Sequence, residues 1–521
     1  AMGQMSFEPL TPTAFLRRAA TVHRDRLAVI DGAQRWTYGE LWDRCLRLAG
    51  GLARSAADGA RIGVLSANSH LMLECHYGVP LAGQVLVALN TRLSADELAY
   101  IIDHAGVSVL IADAELGALA RDVAAASTAR LDVVGEGEEY ERLLSGDRVD
   151  RPPHDERALL AINYTSGTTG RPKGVMYHHR GAYLQALAMA LHLELRADTV
   201  FLWTLPMFHC NGWCLTWGVT AVGGVHRCLR RVDPELIWRT IREDGVTHLN
   251  AAPTVLSSLA YHPDAVAPAD GRRVRVGTGG APPSPTLLGR LDTVGIDTVH
   301  LYGLTESFGP VMVCDWHPEW DALPGPQRAE LKARQGVGNV IAVNPRVVDS
   351  AGEDVPADGQ TVGEVVLRGN DLMLGYYKDP DATDAAQIDG WFRTGDLGAQ
   401  HEDGYVELRD RRKDVIISGG ENISSVEVEQ AVGSHPAVLE VAVIAIPDER
   451  WGERPAAYVV FKPDQHATGD EIAAHVRTTL AGFKVPDRFV AVDGLPKTST
   501  GKIKKFELRA QAWQGHDRTI A

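Results

Sequence analysis

The sequence predicts an α/β protein. We expect a large N-terminal domain of two doubly wound α/β subdomains plus a small β subdomain, and a smaller, mobile α+β C-terminal domain. Apolar runs such as RIGVLSA, QVLVALN and VSVLIAD alternate with helical stretches, and near-continuous apolar strands are typical of parallel sheets covered on both faces. From about residue 336 the strands become shorter and glycine-bearing turns separate them, which favours an antiparallel unit. The expected domains are 5–412 and 413–521, with Met5 as the expected native start.

Capping residues mark where individual helices begin. Thr37 with Glu40 forms a capping box after the hairpin sequence RLAVIDGAQRWTY, and Ser424 with Glu427 opens a helix after DRRKD. The alternation continues through ALLAINY, VFLWTLP, GVHRCLR, THLNAAP and RRVRVGTGG, which predict further buried strands with helices between them. In sheets of this kind ligands bind at the carboxyl ends of the strands, so we expect the site there.

Composition excludes several classes of protein. The 521 residues carry a formal net charge of -15, which argues against a broad nucleic-acid interface. Apolar runs stay short of the roughly 18 residues of a membrane span, and the first twenty residues lack a signal-peptide pattern, so the expected location is cytoplasmic. Six sparse cysteines favour reduced thiols, and His209-Cys210 with Cys214 lacks the second paired set that a zinc site needs.

The stretch YTSGTTGRPKGV (164–175) is a candidate phosphate-binding loop. It follows a predicted strand and precedes a helical pattern, where backbone N–H groups and hydroxyls can converge on phosphate oxygens. It differs from a Walker A loop, because Pro172 stands five residues beyond Gly167 and Gly174 follows Lys173. Glycine, threonine and serine are also common loop formers, so the stretch by itself leaves a flexible turn open.

Five motifs in order resemble those of the acyl-adenylate-forming superfamily, in its AMP-dependent acyl-CoA synthetase and ligase branch. They are YTSGTTGRPKGV, YGLTES (302–307), WFRTGD (391–396), DRRKDVIISGGENIS (410–424) and PKTSTGKIKK (496–505). The resemblance covers about residues 30–510, and PMFHCNGWCLTWG (206–218) is most similar to synthetases of small and medium-chain or aryl acids. It implies a ligase that uses ATP, Mg2+ and coenzyme A to convert a carboxylic acid into acyl-AMP and then a thioester, with fatty acid metabolism as the expected setting.

Two other functions stay open at this point. A stand-alone ligase could pass the acyl group to an acyl carrier protein, whose docking surface cannot be recognised in one sequence. A non-catalytic nucleotide-binding regulator is the more remote alternative, because it would have no use for both Glu306 and Lys502. A homodimer is expected only because it is the commonest soluble assembly.

The resemblance assigns residues to ATP and its metal ion. Glu306 would hold Mg2+ and Thr305 would contact the α-phosphate. The residues expected to embrace the β- and γ-phosphates are Thr165, Ser166, Gly167, Thr168, Thr169 and Lys173. Those expected at the adenine are Tyr302, which would stack on it, and Gly280, Ala281 and Pro282. Asp396 and Arg411 would bind the ribose hydroxyls.

The C-terminal domain contributes the adenylation lysine. By resemblance, Lys502 would bridge the carboxylate and α-phosphate oxygens during adenylation. Lys413 would be the hinge about which the domain rotates between the two half-reactions. Ser418, Gly419 and Gly420 would line the entry channel for the thiol.

The acyl pocket is predicted around His209, which would sit near the substrate carboxylate or be an ordinary core histidine. The expected pocket walls are Trp203, Phe208, Trp213, Gly279, Leu304 and Val311. These walls lack a basic side chain, so we expect a neutral aliphatic or aryl tail and disfavour dicarboxylates. The cluster His178-His179-Arg180 would contact the 3′-phosphate of CoA or be solvated, with neither favoured.

Overall fold

The structure is a computed structural model that describes residues 6–165, 171–279, 282–411, 414–418, 421–448, 450–497 and 503–514. Its N-terminal part contains two largely parallel sheets. The strands of this part are β1 Leu27–Asp31, β2 Gln34–Thr37, β3 Arg61–Leu65, β4 Val85–Ala88, β5 Val107–Ala112, β6 Asp132–Gly135, β7 Leu159–Tyr164, β8 Gly174–His178, β9 Val200–Trp203, β10 Val225–Cys228, β11 His248–Asn250, β12 Val274–Gly279, β13 Ile296–Leu304, β14 Gly309–Val313 and β15 Val337–Gly338.

One sheet has the strand order β15-β14-β13-β12-β11-β9-β10-β1-β2 and the other has the order β6-β5-β3-β4-β7-β8. Pairing is parallel except at the edges, where β2, β14, β15 and β8 run antiparallel to their neighbours. The prediction of two α/β units with buried parallel strands is confirmed.

The strand β8 corrects the expectation for the loop at 164–175. That loop joins two antiparallel strands, since β7 pairs with β8 from Leu159↔His178 to Tyr164↔Gly174. The following helix begins at His179. The five residues GVMYH alternate too little to be separated from a helix by periodicity, and their pairing with β7 decides the conformation.

Helices of the described ranges connect the strands. They are α1 Thr13–Val22, α2 Tyr38–Ser55, α3 His70–Leu81, α4 Ala95–Ala105, α5 Gly117–Ala126, α6 Glu138–Leu143, α7 His179–His192, α8 Cys210–Trp213, α9 Leu215–Ala221, α10 Pro234–Glu243, α11 Pro253–Ala260, α12 Pro285–Thr293, α13 Gly325–Lys332, α14 Pro380–Ala385, α15 Ser425–Gly433, α16 Gly469–Val476 and α17 Lys505–Ala512. The capping box predicted for α2 is present, and α4 also begins with a capping box. The largest core contains buried side chains of both sheets and of α1, α2, α3, α7 and α9.

Two smaller β-containing units follow. The first is antiparallel, with strands β16 Arg346–Val348, β17 Gly363–Leu367, β18 Gln387–Ile388, β19 Trp391–Gln400 and β20 Val406–Arg411. The second is the α+β C-terminal domain, with strands β21 Ile416–Ser418, β22 Glu421–Ile423, β23 Val438–Asp448, β24 Gly452–Phe461 and β25 Arg488–Ala491. Both units were predicted. The boundary at 412/413 stays a proposal, and the hinge residue Lys413 lies outside the described residues.

The segment α8 has an unusual backbone. From Cys210 to Cys214 every residue has a φ between 50° and 63°, and only Gly212 among them lacks a Cβ. Such left-handed conformations cost roughly 1–2 kcal/mol for each ordinary residue, so packing must hold the turn in place. Buried hydrogen bonds provide part of that support: Nδ2 of Asn163 on β7 donates to Oδ1 of Asn211 at 2.8 Å, and Nδ2 of Asn211 donates to Nε2 of His76 at 3.1 Å.

All six cysteines of the sequence are buried as thiols outside any disulfide bond. Burial raises the pKa of the thiols of Cys45, Cys75, Cys214, Cys228 and Cys314. No helix of the described ranges is long and apolar enough to span a bilayer.

Asp371 is a buried carboxyl group where α7, β14 and the segment after β15 meet. Its Oδ2 accepts a hydrogen bond from Nδ2 of Asn339 at 3.0 Å, and that Nδ2 also lies 3.2 Å from Oε1 of Gln185 on α7. Its Oδ1 has no hydrogen-bond partner within the described part of the chain. Burial raises the pKa of Asp371 to about 7.

This pKa predicts how stability depends on pH. Because the folded pKa lies above the unfolded value of 3.8, the native state keeps a proton that the unfolded chain releases. The stability that the protonated Asp371 contributes is therefore fully present below about pH 4 and is lost as the pH rises to about 7. We expect Asp371→Asn to be more stable than the wild type at pH 8, by up to roughly 4 kcal/mol.

Urea unfolding at pH 5 and pH 8 measures this effect. The exposed carboxylate of Asp384 provides the control, and Asp384→Asn should follow the wild-type pH dependence. The assignment would be contradicted if the free energy of unfolding changed by the same amount between pH 5 and pH 8 in the wild type and in Asp371→Asn.

Candidate active site

Glu306 lies at the carboxyl end of β13, in a 3₁₀ turn over Thr305–Ser307. Its Oε1 accepts a hydrogen bond from the Tyr376 hydroxyl at 2.7 Å, and its carbonyl accepts one from the N–H of Met373 at 2.9 Å. Burial and the neighbouring carboxylate raise the pKa of Tyr376, so the phenol stays protonated and donates. These contacts fix the carboxylate at the edge where the sequence predicts the site.

Two hydrogen bonds join the ends of the candidate phosphate loop. The Thr165 N–H donates to the Lys173 carbonyl at 3.0 Å, and the Lys173 N–H donates to Oγ1 of Thr165 at 3.1 Å. Lys173 is exposed, and its Nζ lies 5.9 Å from the centroid of the Tyr376 ring. The loop therefore begins and ends beside the tyrosine that holds Glu306. The predicted phosphate residues Ser166, Gly167, Thr168 and Thr169 lie outside the described residues.

Thr305 is joined to the same hairpin. Its carbonyl accepts a hydrogen bond from the hydroxyl of Tyr177 on β8 at 2.5 Å, and the Tyr177 ring stacks on Phe308 with centroids 3.9 Å apart. The carboxyl end of β13 and the β7–β8 hairpin thus form one packed unit. Thr305 and Glu306 are both held next to the loop.

The predicted ribose residues lie on neighbouring strands. Asp396 on β19 is opposite Arg411 on β20. Oδ2 of Asp396 accepts a hydrogen bond from the Tyr302 hydroxyl at 2.5 Å. Tyr302 is only 5% exposed and packs with the small β unit, so its hydroxyl orients the carboxylate, a contact that the sequence did not reveal.

Trp213 connects several predicted pocket residues. A Cβ added to Gly279 would lie 3.5 Å from its ring, and one added to Gly309 would lie 3.0 Å from it. Gly279 ends β12, and the half-buried Pro282 follows, whereas Gly280 and Ala281 lie outside the described residues. The lack of a side chain at Gly309 makes room for the indole beside β14, whereas a methyl group at Gly279 would make an ordinary van der Waals contact with it.

The other predicted pocket walls lie at different depths. Trp203 is fully buried, and its Nε1 donates to Nδ1 of His226 at 3.0 Å. Its ring would clash with a Cβ at Gly212, which explains the glycine in the left-handed turn. Val311 is buried with Tyr302, whereas Phe208 and Leu304 are half-buried.

His209 stands directly before the left-handed turn and is half-buried. Its Nε2 lies 3.9 Å from Sγ of Cys210, and its N–H donates to the Pro206 carbonyl at 3.0 Å. Within the described ranges, no group of three or more His, Cys, Asp or Glu side chains could hold a metal ion by itself. A metal at Glu306 would therefore take its other ligands from a substrate or from water.

The solvated alternative is wrong for the two histidines of the cluster at 178–180, which are both buried, and the contact with the 3′-phosphate of CoA stays a prediction. His178 caps α7, where its Nδ1 accepts from the Gly181 N–H at 2.8 Å, and Nδ1 of His179 lies 2.8 Å from Oγ1 of Thr11. Burial lowers the pKa of both imidazoles, that of His179 to about 4. Arg180 pairs with Glu156 at 2.9 Å.

Comparison with known proteins decides the family. The family described as AMP-binding enzyme matches residues 16–377, and the AMP-binding enzyme C-terminal domain matches residues 427–502. The chain belongs to the AMP-binding enzymes. It is thus a member of the acyl-adenylate-forming superfamily, as its motifs predicted.

Similar proteins match this AMP-binding enzyme over nearly its whole length. An acetate–CoA ligase of Humulus lupulus is 42% identical over 97% of this chain and 95% of that protein. A peroxisomal acetate/butyrate–CoA ligase of Arabidopsis thaliana is 43% identical with the same coverage. The structure of o-succinylbenzoate CoA synthetase from Bacillus subtilis, in complex with its acyl-adenylate intermediate, is similar with a TM-score of 0.81 at 27% identity, covering 97% of this chain and 98% of that one.

The donor set at Glu306 fits the Mg2+ that the superfamily resemblance implies. Oε1 is engaged by Tyr376, and Oε2 has no hydrogen-bond partner in the part of the chain that the structure describes. Mg2+ is commonly bound by one or two carboxylates together with substrate phosphates and water, so a single oriented carboxylate is sufficient from the protein.

In the C-terminal domain of this AMP-binding enzyme, Ser418 is buried at the end of β21. Nη1 of Arg454 donates to its Oγ at 3.2 Å, and Arg454 also pairs with Asp487 at 2.7 Å. Gly419, Gly420 and Lys502 lie outside the described residues, so their predicted roles stay predictions.

Sequence reasoning missed Tyr376 and Tyr177 as parts of the site. Tyr376 lies 70 positions from Glu306, and the sequence around it, LGYYKDP, carries no catalytic pattern. Its only signal is a pair of tyrosines in a glycine-bearing turn, a composition that predicts no more than the turn.

Proposed function

We propose that this AMP-forming acyl-CoA ligase activates a small or medium-chain aliphatic or aryl carboxylic acid as acyl-AMP, releases pyrophosphate, and transfers the acyl group to CoA. One observation carries the proposal. Residues 302–306 contact the β7–β8 hairpin through Tyr376 and Tyr177, and contact Asp396 through Tyr302. A triphosphate at the hairpin and a ribose at Asp396 could therefore belong to one nucleotide.

The phosphate end of the site would neutralise charge. Two anions, a carboxylate and the α-phosphate, must meet, and charge develops on the departing pyrophosphate. Lys173 and the loop residues 165–169 would bind the β- and γ-phosphates, and Thr305 would contact the α-phosphate. Glu306 would hold Mg2+, which as a Lewis acid would supply further charge stabilisation.

The nucleoside end would be held by residues of two units, the sheet that contains β12 and β13 and the small antiparallel unit. Asp396, oriented by Tyr302, and Arg411 would bind the ribose hydroxyls. Tyr302 and residues 280–282 would flank the adenine.

The C-terminal domain would carry the switch between the half-reactions. Lys502 would stabilise the charge that forms during adenylation and would withdraw when the domain, beginning at 413, rotates about Lys413. Residues 418–420 would then line the path of the thiol.

The substrate would be a small or medium-chain acid whose tail carries no charge. The pocket around Trp213, Phe208 and Leu304 lacks a basic side chain among the walls that we predict, so a second carboxylate would have no partner. His209 would lie near the carboxylate that reacts. The names of the relatives from Humulus lupulus and Arabidopsis thaliana support acids such as acetate and butyrate.

A panel of acids tests this function. Purified protein is incubated with ATP, Mg2+ and each acid from acetate through decanoate, with benzoate and cinnamate added. Pyrophosphate release and acyl-CoA are measured, with the reaction lacking acid as the control. We expect acid-dependent AMP formation that is completed by CoA. A thioester formed on purified holo acyl carrier protein and not on CoA would replace the proposed acceptor, and no product with any acid would overturn the proposal.

Location and assembly stay predictions. The cytoplasmic expectation is open, since the relative of Arabidopsis thaliana is described as peroxisomal. The homodimer is likewise open, and light scattering of the purified protein measures it directly.

A further inference from the structure

A buried amide stands among the residues around the predicted acyl pocket. Asn250 ends β11 and is 0% exposed, and neither its Oδ1 nor its Nδ2 has a hydrogen-bond partner in the part of the chain that the structure describes. Each unpaired buried polar atom costs roughly 1–3 kcal/mol. Two such atoms on one side chain are unusual in a native protein and require an explanation.

The strand register places this amide on the pocket side of the sheet. Leu249 pairs with Leu202, so Asn250 is level with Trp203 on β9, and it pairs with Gly277 on β12. Side chains alternate along strands, so Gly277 and Gly279 share one face. Gly279 is the residue that packs against Trp213. Asn250 is level with Gly277 and thus lies two residues along the strands from the Gly279–Trp213 contact, a distance of about 6.6 Å.

The neighbouring strand leaves room for the amide. A Cβ at Gly277 would lie 2.5 Å from Oδ1 of Asn250, so any larger residue would displace it. The Thr204 hydroxyl donates to the Asn250 carbonyl at 2.6 Å, which fixes the backbone of this residue. The side chain is therefore positioned, while both of its polar atoms lack a hydrogen-bond partner among the residues that the structure describes.

We propose that Asn250 determines specificity as the polar end of the acyl pocket, and that the preferred acid carries a hydroxyl group on its tail. The inference rests on the proposed function. An amide offers one acceptor and a donor group, and a hydroxyl both donates and accepts, so one substituent can satisfy both atoms. A charged tail is disfavoured because the amide is neutral.

Matched pairs of acids test this proposal. The acids from butanoate to octanoate are each compared with the ω-hydroxy acid, and benzoate is compared with para-hydroxybenzoate. The readout is kcat/KM for acid-dependent pyrophosphate release. For at least one pair we expect the wild type to prefer the hydroxy acid by about tenfold or more, because a site built to bind a hydroxyl rejects the analogue that lacks it. Asn250→Leu should lower that ratio by about tenfold or more.

Thr278→Val is the matched control. Oγ1 of Thr278 is also buried and has no hydrogen-bond partner among the described residues, but Thr278 lies between Gly277 and Gly279 and so faces the other side of the sheet. In Thr278→Val, the ratio of kcat/KM for the hydroxy acid to kcat/KM for the plain acid should stay within about twofold of the wild-type ratio. Asn250→Leu should also melt at a higher temperature, because it removes unpaired polar atoms and keeps a similar volume.

The outcomes separate the two proposals. If the wild type releases pyrophosphate with plain acids and prefers no hydroxy acid, the role of Asn250 is overturned even if Asn250→Leu does not fold. The role of Asn250 is also overturned if the wild type and Asn250→Leu show the same preference for the hydroxy acid over the plain acid. If the wild type is inactive with every acid, the proposed function itself fails.

Discussion

Glu306→Gln should lower acid-dependent pyrophosphate release by about a hundredfold or more. The amide keeps the shape of the side chain and can still accept the hydrogen bond of Tyr376, but it removes the negative charge that would hold Mg2+. Loss of a group that stabilises developing charge costs about 10² to 10³ in rate. The measurement is pyrophosphate release at saturating acid, repeated over a series of Mg2+ concentrations.

Two further variants sharpen this test. Tyr376→Phe removes the hydroxyl that orients Glu306 but leaves the carboxylate, so we expect a smaller loss, with a higher requirement for Mg2+. Glu141→Gln changes an exposed carboxylate that pairs with Arg44 at 2.8 Å, and its activity should equal that of the wild type. Activity of Glu306→Gln within about threefold of the wild type would rule out the proposed role.

Lys502→Ala should separate the two half-reactions. We expect acid-dependent pyrophosphate release to fall by about a hundredfold or more, because the ammonium would neutralise the approaching carboxylate and α-phosphate. Transfer of the acyl group from supplied acyl-adenylate to CoA should continue near the wild-type rate, since Lys502 would be withdrawn in that step.

Lys504→Ala is the matched control, two positions along the chain. Lys504 pairs with Glu507 at 3.1 Å in the first turn of α17, and its loss should leave both half-reactions unchanged. If Lys502→Ala instead slowed thioester formation and left adenylation intact, the assignment of the lysine to the first half-reaction would be wrong.

The local signals of the sequence predicted much of the fold. The capping box at Thr37 and the start of α15 after Ser424 are present because each depends on residues within one turn of a helix. The strand β8 was missed because its conformation is decided by pairing with β7 rather than by its own five residues. A strand fixed by its partner has no independent pattern to detect.

The site was predicted unevenly for a similar reason. Motif residues such as Glu306 and Asp396 could be found because the superfamily keeps them in order. Their partners Tyr376 and Tyr302 depend on contacts between distant segments, 70 and 94 positions apart. Asn250 looked like the polar end of a strand, and only its register with Gly277 reveals that it faces inward.

The complete burial of the enzyme's sulfhydryl groups has a practical consequence. A chromogenic disulfide reagent reacts with thiolates that solvent can reach, and all six sulfhydryls of the protein are buried away from it. Added to samples of a reaction with the native enzyme, such a reagent should therefore measure the remaining thiol of coenzyme A with little background from the protein. The protein's own thiols should react with the reagent only as the protein denatures. The same colour change can therefore follow turnover in one experiment and unfolding in another.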